Sequence, residues 1–205
     1  MRTLVIDSAS EACSVALFDA DELADHRHEV IGRGHAERLV PLIAELADGG
    51  RADAIAIGCG PGSFAGVRIG VAAARALGLG WQAPVRGFST LALVAAGAAD
   101  AILDADGGLV AMEGGHGQWF VQSFAADLAP RGELQSLYPD AAVELDDALV
   151  VGNRAEAFVG RRGAGRALAV LPDARSFARL PTAALFDDPS PIYGRAPDAK
   201  PMATA

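Results

Sequence analysis

The sequence predicts an α/β protein of two related lobes, each a small sheet with helices packed on it. Three observations carry this prediction. Short apolar runs of strand length alternate with longer segments of helical periodicity. The second half of the chain repeats the order of the first. The 205 residues are 51% hydrophobic and 21% charged, enough apolar surface to offset the entropy of ordering the chain.

The elements follow in order. Leu4-Val5-Ile6 is a short apolar run ending at Asp7, and Ala12 to Phe18 is a second one. Ser8-Ala9-Ser10-Glu11 between them is polar and turn-like, so the pair reads as a hairpin. A weaker strand covers His26 to Ile31. Leu39, Leu42, Ile43 and Leu46 recur at helical spacing with Glu37, Arg38 and Glu45 opposite, and Gly49-Gly50 stops that helix. Ala54-Ile55-Ala56-Ile57 is a buried-strand run entering the glycine loop Gly58-Cys59-Gly60-Pro61-Gly62. A long helix of small residues runs from about Phe64 to Leu79. Val85 leads into another helix, with Ser89 as its N-cap and its end near Ala96.

The duplication is specific in its spacing. Leu4-Val5 to Phe18-Asp19-Ala20-Asp21 parallels Leu109-Val110 to Phe124-Ala125-Ala126-Asp127, over 18 and 19 residues. Ala54 to Phe64 parallels Ala148 to Phe158 across 11 residues without a gap. Between these blocks the first copy holds 12 more residues, the size of the helix at 35–46. Two lobes of βαβ-type topology then pack across a shared cleft, with the boundary near Gly97–Asp106.

Charge and composition exclude some classes. Acid exceeds base 12 to 8 over residues 1–100 and 14 to 9 over 101–205. Binding dominated by neutralised phosphates wants the opposite sign. No apolar run approaches the roughly 20 residues that span a bilayer, and the chain enters a strand-like run directly after Met1-Arg2-Thr3. The expectation is a soluble, cytoplasmic protein without a membrane partner. Two cysteines, Cys13 and Cys59, cannot build a disulfide scaffold, and a reducing setting suits them.

Several motifs carry candidate chemistry. Gly60-Pro61-Gly62-Ser63-Phe64-Ala65 formally matches the G-x-G-x-x-A dinucleotide fingerprint. Pro61 removes an N–H from that cradle, and two strands and a helix precede the unit. A tight strand-to-helix turn that lets two backbones approach is the better reading. Asp7, Ser8 and Ser10 put a carboxylate and two hydroxyls at a hairpin tip, which in actin-like and sugar-kinase-like folds holds metal and phosphate. An ordinary polar turn is the plainer alternative, and Ala9 stands where a glycine helps. Together with Gly60, Gly62 and Ser63 these residues form a vestigial phosphate-binding set. His26, His28, His35 and His116 lack ligand spacing, so no metal set is nominated. Cys59 and Cys13 read as structural thiols, and no nucleophile with a base nearby can be named.

Three stretches make the likeness to a family specific. They are Leu4 to Leu17, His35-Ala36-Glu37-Arg38-Leu39-Val40-Pro41, and Gly60-Pro61-Gly62-Ser63-Phe64-Ala65-Gly66-Val67-Arg68-Ile69-Gly70, with Gly87-Phe88-Ser89-Thr90-Leu91 after them. In this order and spacing they resemble the TsaB family, the dimerisation subunit of the bacterial complex that makes threonylcarbamoyladenosine in tRNA. The likeness is strong over 1–97, faint over 98–190, and returns at Pro191-Ile192-Tyr193-Gly194-Arg195. It implies an ASKHA-type (actin-like ATPase and sugar-kinase-like) fold, two lobes of duplicated ribonuclease H-like topology. Residues 1–99 would form the lobe with the glycine loop and the partner-binding helices, and 100–205 a smaller, degenerate one.

The resemblance implies a non-catalytic partner of the paralogue TsaD, needed to modify adenosine 37 in tRNAs reading ANN codons. The metal pair His-x-x-x-His of TsaD is absent from the matching stretch Gly87-Phe88-Ser89-Thr90-Leu91-Ala92-Leu93-Val94. The family's Asp-Ala-Arg-x-Gly-Glu turn is replaced by Glu113-Gly114-Gly115-His116-Gly117-Gln118. It further implies no cofactor of its own, with ATP or ADP at the complex interface, a TsaE-type ATPase as a further partner, tRNA met only through the complex, and a homodimer when isolated. The competing reading is an ASKHA-type ATPase or a glycoprotease-like hydrolase acting alone.

The partner face is expected on two helices. Arg68 and Arg75 share one line of the 66–79 helix, and nearly everything else there is small or apolar, so burial on more than one side follows. Gly66, Gly70, Ala73, Ala74 and Ala76 would let a partner helix approach, with His35, Leu39, Leu42, Ile43 and Leu46 alongside.

Overall fold

The computed structural model describes residues 1–194. Ten strands form two five-stranded sheets. The first sheet contains β1 (Arg2–Asp7), β2 (Ala12–Asp19), β3 (Glu22–Val30), β4 (Ala54–Gly58) and β5 (Val85–Phe88) in the order β3-β2-β1-β4-β5. The second contains β6 (Gly108–Gly115), β7 (Gln118–Phe124), β8 (Pro130–Leu137), β9 (Leu149–Val151) and β10 (Arg166–Leu168) in the order β10-β9-β6-β7-β8. Read from its other edge, the second order is the first. In both sheets the first three strands run antiparallel, and the last two add in parallel through helical crossovers. The two related lobes are those that the repeat predicts, and their topology is the duplicated ribonuclease H-like one that the resemblance implies.

The helices are α1 (His35–Ala44), α2 (Phe64–Trp81), α3 (Thr90–Gly97), α4 (Ala99–Asp104), α5 (Pro139–Ala142) and α6 (Ala155–Arg162). Strand alternation sorts the first sheet into two faces. Leu4, Ile6, Val15, Leu17, Ile55 and Ile57 pack under α1 and α2. Val5, Ala16, Phe18, Ala56 and Phe88 face the other way, toward α3. The second sheet repeats this, with Leu109, Ala111, Val121 and Val150 against Ala142 and Phe158, and Val110, Met112, Phe124 and Val151 toward α3 and α4. The 12-residue deficit falls where expected: the single turn α5 stands in place of α1.

Helix α3 lies between the two sheets. Leu93 packs on the first and Leu91 and Val94 on the second, and every residue from Thr90 to Ala96 is buried. A helix enclosed on all sides needs no polar face. Each fully buried leucine contributes about 1.5–3 kcal/mol.

Some boundaries differ from the sequence reading. β3 begins at Glu22 rather than His26: Glu22–Asp25 is the exposed start of an edge strand, with Leu23 also open to solvent, so burial imposes no strand pattern on it. α1 ends at Ala44, so Leu46 lies beyond it yet stays buried. Ser89 sits at the cap of α3 but makes no side-chain bond there. The turn between β6 and β7 is His116-Gly117, both at positive φ, the conformation of a two-residue type I′ hairpin. Among the described residues no helix is long and apolar enough to cross a membrane.

The chain after β10 crosses back to the first lobe, although the sequence reading places it with the second. Ala174 is fully buried among Val5, Ala16 and Phe18, and Phe186 pairs in antiparallel fashion with Gly87 at the edge of β5. Arg86 bonds Asp187, Arg75 bonds the Pro189 carbonyl, and the Ile192 N–H donates to the Cys59 carbonyl at 2.7 Å. Arg195, which closes the Pro-x-Tyr-x-Arg likeness, and the rest of 195–205 lie outside the described residues.

The buried Ser14 hydroxyl accepts the Ala174 N–H at 2.9 Å and ties this return segment to β2. Ser14→Ala strands that N–H without a partner, which costs about 1–3 kcal/mol. Urea unfolding of the variant is expected to show a loss of that size, and an unchanged midpoint would mean the return segment is not anchored there.

Candidate functional site

The β1–β2 turn and the glycine loop meet backbone to backbone. The Ser63 N–H donates to the Ala9 carbonyl at 2.6 Å, and the Ser8 hydroxyl donates to the Gly66 carbonyl at 2.9 Å. A Cβ on Gly62 would stand 2.0 Å from the Ala9 oxygen, and one on Gly66 2.1 Å from the Ser8 oxygen. The glycines at 62 and 66 are thus explained by close approach, as the sequence suggests.

Asp7 sits behind this contact. It is buried; its Oδ1 accepts the Ala9 N–H at 3.0 Å and its Oδ2 accepts the Thr90 hydroxyl at 2.8 Å. A Cβ on Gly58 would fall 2.0 Å from Oδ2. Burial pushes the Asp7 carboxyl up to about 6, against the lowering effect of its two hydrogen bonds. The thiols of Cys13 and Cys59 are likewise pushed up to about 12 by burial, the behaviour of inert structural cysteines.

Between the lobes lies a cleft of about 790 Å³. Ser10, Gly62 and Ser63 of the phosphate set line it; Asp7, Ser8 and Gly60 do not. Its wall from the second lobe includes Met112, Glu113, Phe120 and Asn153. Asn153 spans the lobes: its Nδ2 donates to both Glu11 carboxylate oxygens, at 2.9 and 3.0 Å, and its Oδ1 accepts the Glu113 N–H at 2.9 Å. Glu113 in turn pairs with Arg154. Glu11 and Asn153 escape sequence reasoning because only the fold brings them together, and a Gly152-Asn153 turn has no distinctive pattern. Among the described residues no group of three or more His, Cys, Asp or Glu is placed to hold a metal ion.

The expected partner-face residues divide by burial. His35, Leu39, Leu42, Ile43, Leu46, Gly66, Gly70 and Ala74 are buried within the chain itself. His35 opens α1 with its Nε2 3.3 Å from the Ala12 carbonyl oxygen. Ala73 is half-buried and Ala76 is exposed. The reason is physical: apolar periodicity marks the side of a helix that meets its own sheet. The opposite side of the same two helices is the free one, with Val40 57% exposed on α1, Leu79 84% exposed on α2, and Ala72 and Ala76 beside it.

The raised Asp7 value has a pH consequence. The folded protein keeps this proton at pH values where the unfolded chain has lost it. That stabilisation is complete below about pH 4 and is lost as pH rises through about 6, for a total of about 3 kcal/mol from the rise between 3.8 and about 6. Asp7→Asn cannot ionise. Its unfolding free energy relative to wild type is therefore expected to improve by about 3 kcal/mol from pH 4 to pH 8 in paired urea titrations. A difference that stays flat over that range would show that burial does not raise the Asp7 carboxyl.

Comparison with known proteins adds to this geometry. A family model described as TsaD, tRNA N6-adenosine threonylcarbamoyltransferase, matches residues 28–158. The chain is 45% identical over 103 residues to the tRNA threonylcarbamoyladenosine biosynthesis protein TsaB of Escherichia coli. That match covers 48% of this chain and 44% of the E. coli protein, less than half the length of either. The solved structure of YeaZ from Pseudomonas aeruginosa superposes with a TM-score of 0.78 at 29% identity, covering 94% of this chain and 99% of that one. The ethanolamine utilization protein EutJ from Carboxydothermus hydrogenoformans superposes with a TM-score of 0.52 at 10% identity over 88% of this chain and 90% of that one, a likeness of fold alone.

Proposed function

The chain belongs to the TsaD family of tRNA N6-adenosine threonylcarbamoyltransferases, on its TsaB branch, and from that premise we propose that it acts in making threonylcarbamoyladenosine at adenosine 37 of tRNAs reading ANN codons. Its part is that of a non-catalytic subunit. It dimerises with the catalytic paralogue TsaD, and tRNA is met through the complex. ATP or ADP, in this reading, belongs to the complex interface rather than to this chain alone.

The observation that carries the reading is the free side of α1 and α2. Val40 and Leu79 are large apolar side chains left open to solvent, and the exposed alanines at 72 and 76 on the same helix as Leu79 let another helix come close. The acidic balance of the chain suits a subunit that leaves most phosphate contacts to its partner.

Two substitutions two residues apart separate fold from docking. Ala74 is fully buried against the sheet, so Ala74→Glu forces a carboxylate into the core and is expected to unfold or aggregate the protein. Ala76 is exposed, so Ala76→Glu is expected to melt within about 2 °C of wild type yet fail to co-purify with TsaD. Reconstituted modification of tRNA, read by nucleoside analysis, is expected to need the wild-type chain and to fail with Ala76→Glu. Full modification in the absence of the chain would overturn the proposed role.

A further inference from the structure

The exposed stripe of α2 holds one charged group that its own chain leaves open. Arg68 lies one turn into the helix, in line with Phe64 before it and Ala72 after it. Its guanidinium carbon lies 3.6 Å from the centre of the Phe64 ring and 5.8 Å from that of Tyr193. Its Nε donates to the Tyr193 hydroxyl at 3.2 Å. The two rings stand 5.7 Å apart at 36°, and Phe64 and Tyr193 are 60% and 52% exposed.

Among the described residues Arg68 has no carboxylate within ion-pairing distance, and its two terminal nitrogens meet no acceptor. Nine other arginines each lie within 4.0 Å of a carboxylate. In a chain of net charge −9, where acids are plentiful, an arginine held in place by aromatic rings and left unpaired is a formed but unused anion receptor. The stacked guanidinium offers a planar fork suited to two parallel hydrogen bonds. Stacking has already restricted its rotamers, so less entropy remains to be lost on binding.

We propose that Phe64, Arg68 and Tyr193 form the polar anchor of the docking face and receive a side-chain carboxylate presented by the partner helix that packs on α2. The assignment rests on the docking reading above. Continuity decides for a protein carboxylate: Phe64 and Arg68 stand on the same exposed stripe as Ala72, Ala76 and Leu79. Phe64, Arg68 and Tyr193 also line the inter-lobe cleft; charge decides against an RNA phosphate there, since Glu11 and Glu113 line the same cleft and the whole chain is acidic. Exposed aromatic and arginine side chains grouped in this way are also the composition of energetic centres in protein interfaces.

The test is calorimetric titration of purified TsaD from the same organism with the wild-type chain, Arg68→Ala, Arg68→Lys and Ala76→Glu, at two salt concentrations. Binding of unmodified tRNA to each isolated chain is measured in parallel. Arg68→Ala is expected to weaken TsaD binding about tenfold or more and to lessen its salt dependence. Arg68→Lys keeps the charge and most of the side-chain packing but not the fork, and is expected to lose most of the same affinity. Both are expected to melt with the wild type, since the side chain is exposed. If the Arg68 variants bind TsaD as wild type does while Ala76→Glu fails, the docking face stands and the anchor is overturned. If Ala76→Glu also binds normally, the docking reading falls with it. Loss of tRNA binding with unchanged TsaD affinity would assign the receptor to phosphate and overturn the proposal.

Discussion

Two stretches of backbone meet in the first lobe with no side chain between them, at Ser8–Ala9 and Gly62–Gly66. That contact sets where α2 begins, because Ser63 both donates to Ala9 and caps the helix through its hydroxyl to the Gly66 N–H. It also closes Asp7 off from the cleft, leaving the carboxylate only Thr90 and the Ala9 N–H as partners. Thr90 opens α3, and α3 is the layer shared by both sheets. One close approach thereby links the hairpin tip, the long helix and the packing between the lobes.

The glycine loop and the acidic hairpin tip are the two parts that the sequence groups as a phosphate-binding set. Here the same parts are in contact. The polar groups of the hairpin tip bond within the lobe: Ser8 to the Gly66 carbonyl, Ser10 to the Ala12 N–H, Asp7 to the Thr90 hydroxyl. Buried hydrogen bonds of this kind stabilise mainly because leaving any member unpaired costs more than the bond returns. Asp7 and Ser8 are part of the core, whereas Ser10, Gly62 and Ser63 line the cleft. What the lobe leaves open to solvent is the outer side of α1 and α2, on the far side of the same helices that cover the sheet.

Much of this was legible in residue patterns. The apolar runs Leu4–Ile6 and Ala12–Phe18 with the polar turn between them placed the hairpin, and the matched spacing of Ala54–Phe64 and Ala148–Phe158 exposed the duplication. The glycine loop was readable as a close approach, but not against what. Three features stayed hidden for physical reasons. The strand start at Glu22 is an exposed edge, where polarity and pleat no longer coincide. The outer side of α2 carries mostly alanine, which signals neither core nor surface, so the apolar pattern pointed to Leu39, Leu42, Ile43 and Ala74 on the inner sides. The Glu11–Asn153 bridge joins residues 142 apart, and polar pairs at that separation have no periodicity to read.

The return of residues 174–192 to the first sheet has a consequence for how the molecule is made. The first lobe emerges from the ribosome with its hairpin, both covering helices and all five strands, yet without Ala174, Phe177 and Phe186 on its other face and edge. Domains commonly fold in order of synthesis. This one waits. Its layer is completed by residues translated only after the intervening lobe. The smaller lobe, even reduced to a single-turn helix where its counterpart has ten residues, therefore carries the segment without which the larger one has an uncovered face. A nascent chain stopped before residue 174 would present that face to solvent, as a substrate for chaperones and proteases rather than as a free-standing half.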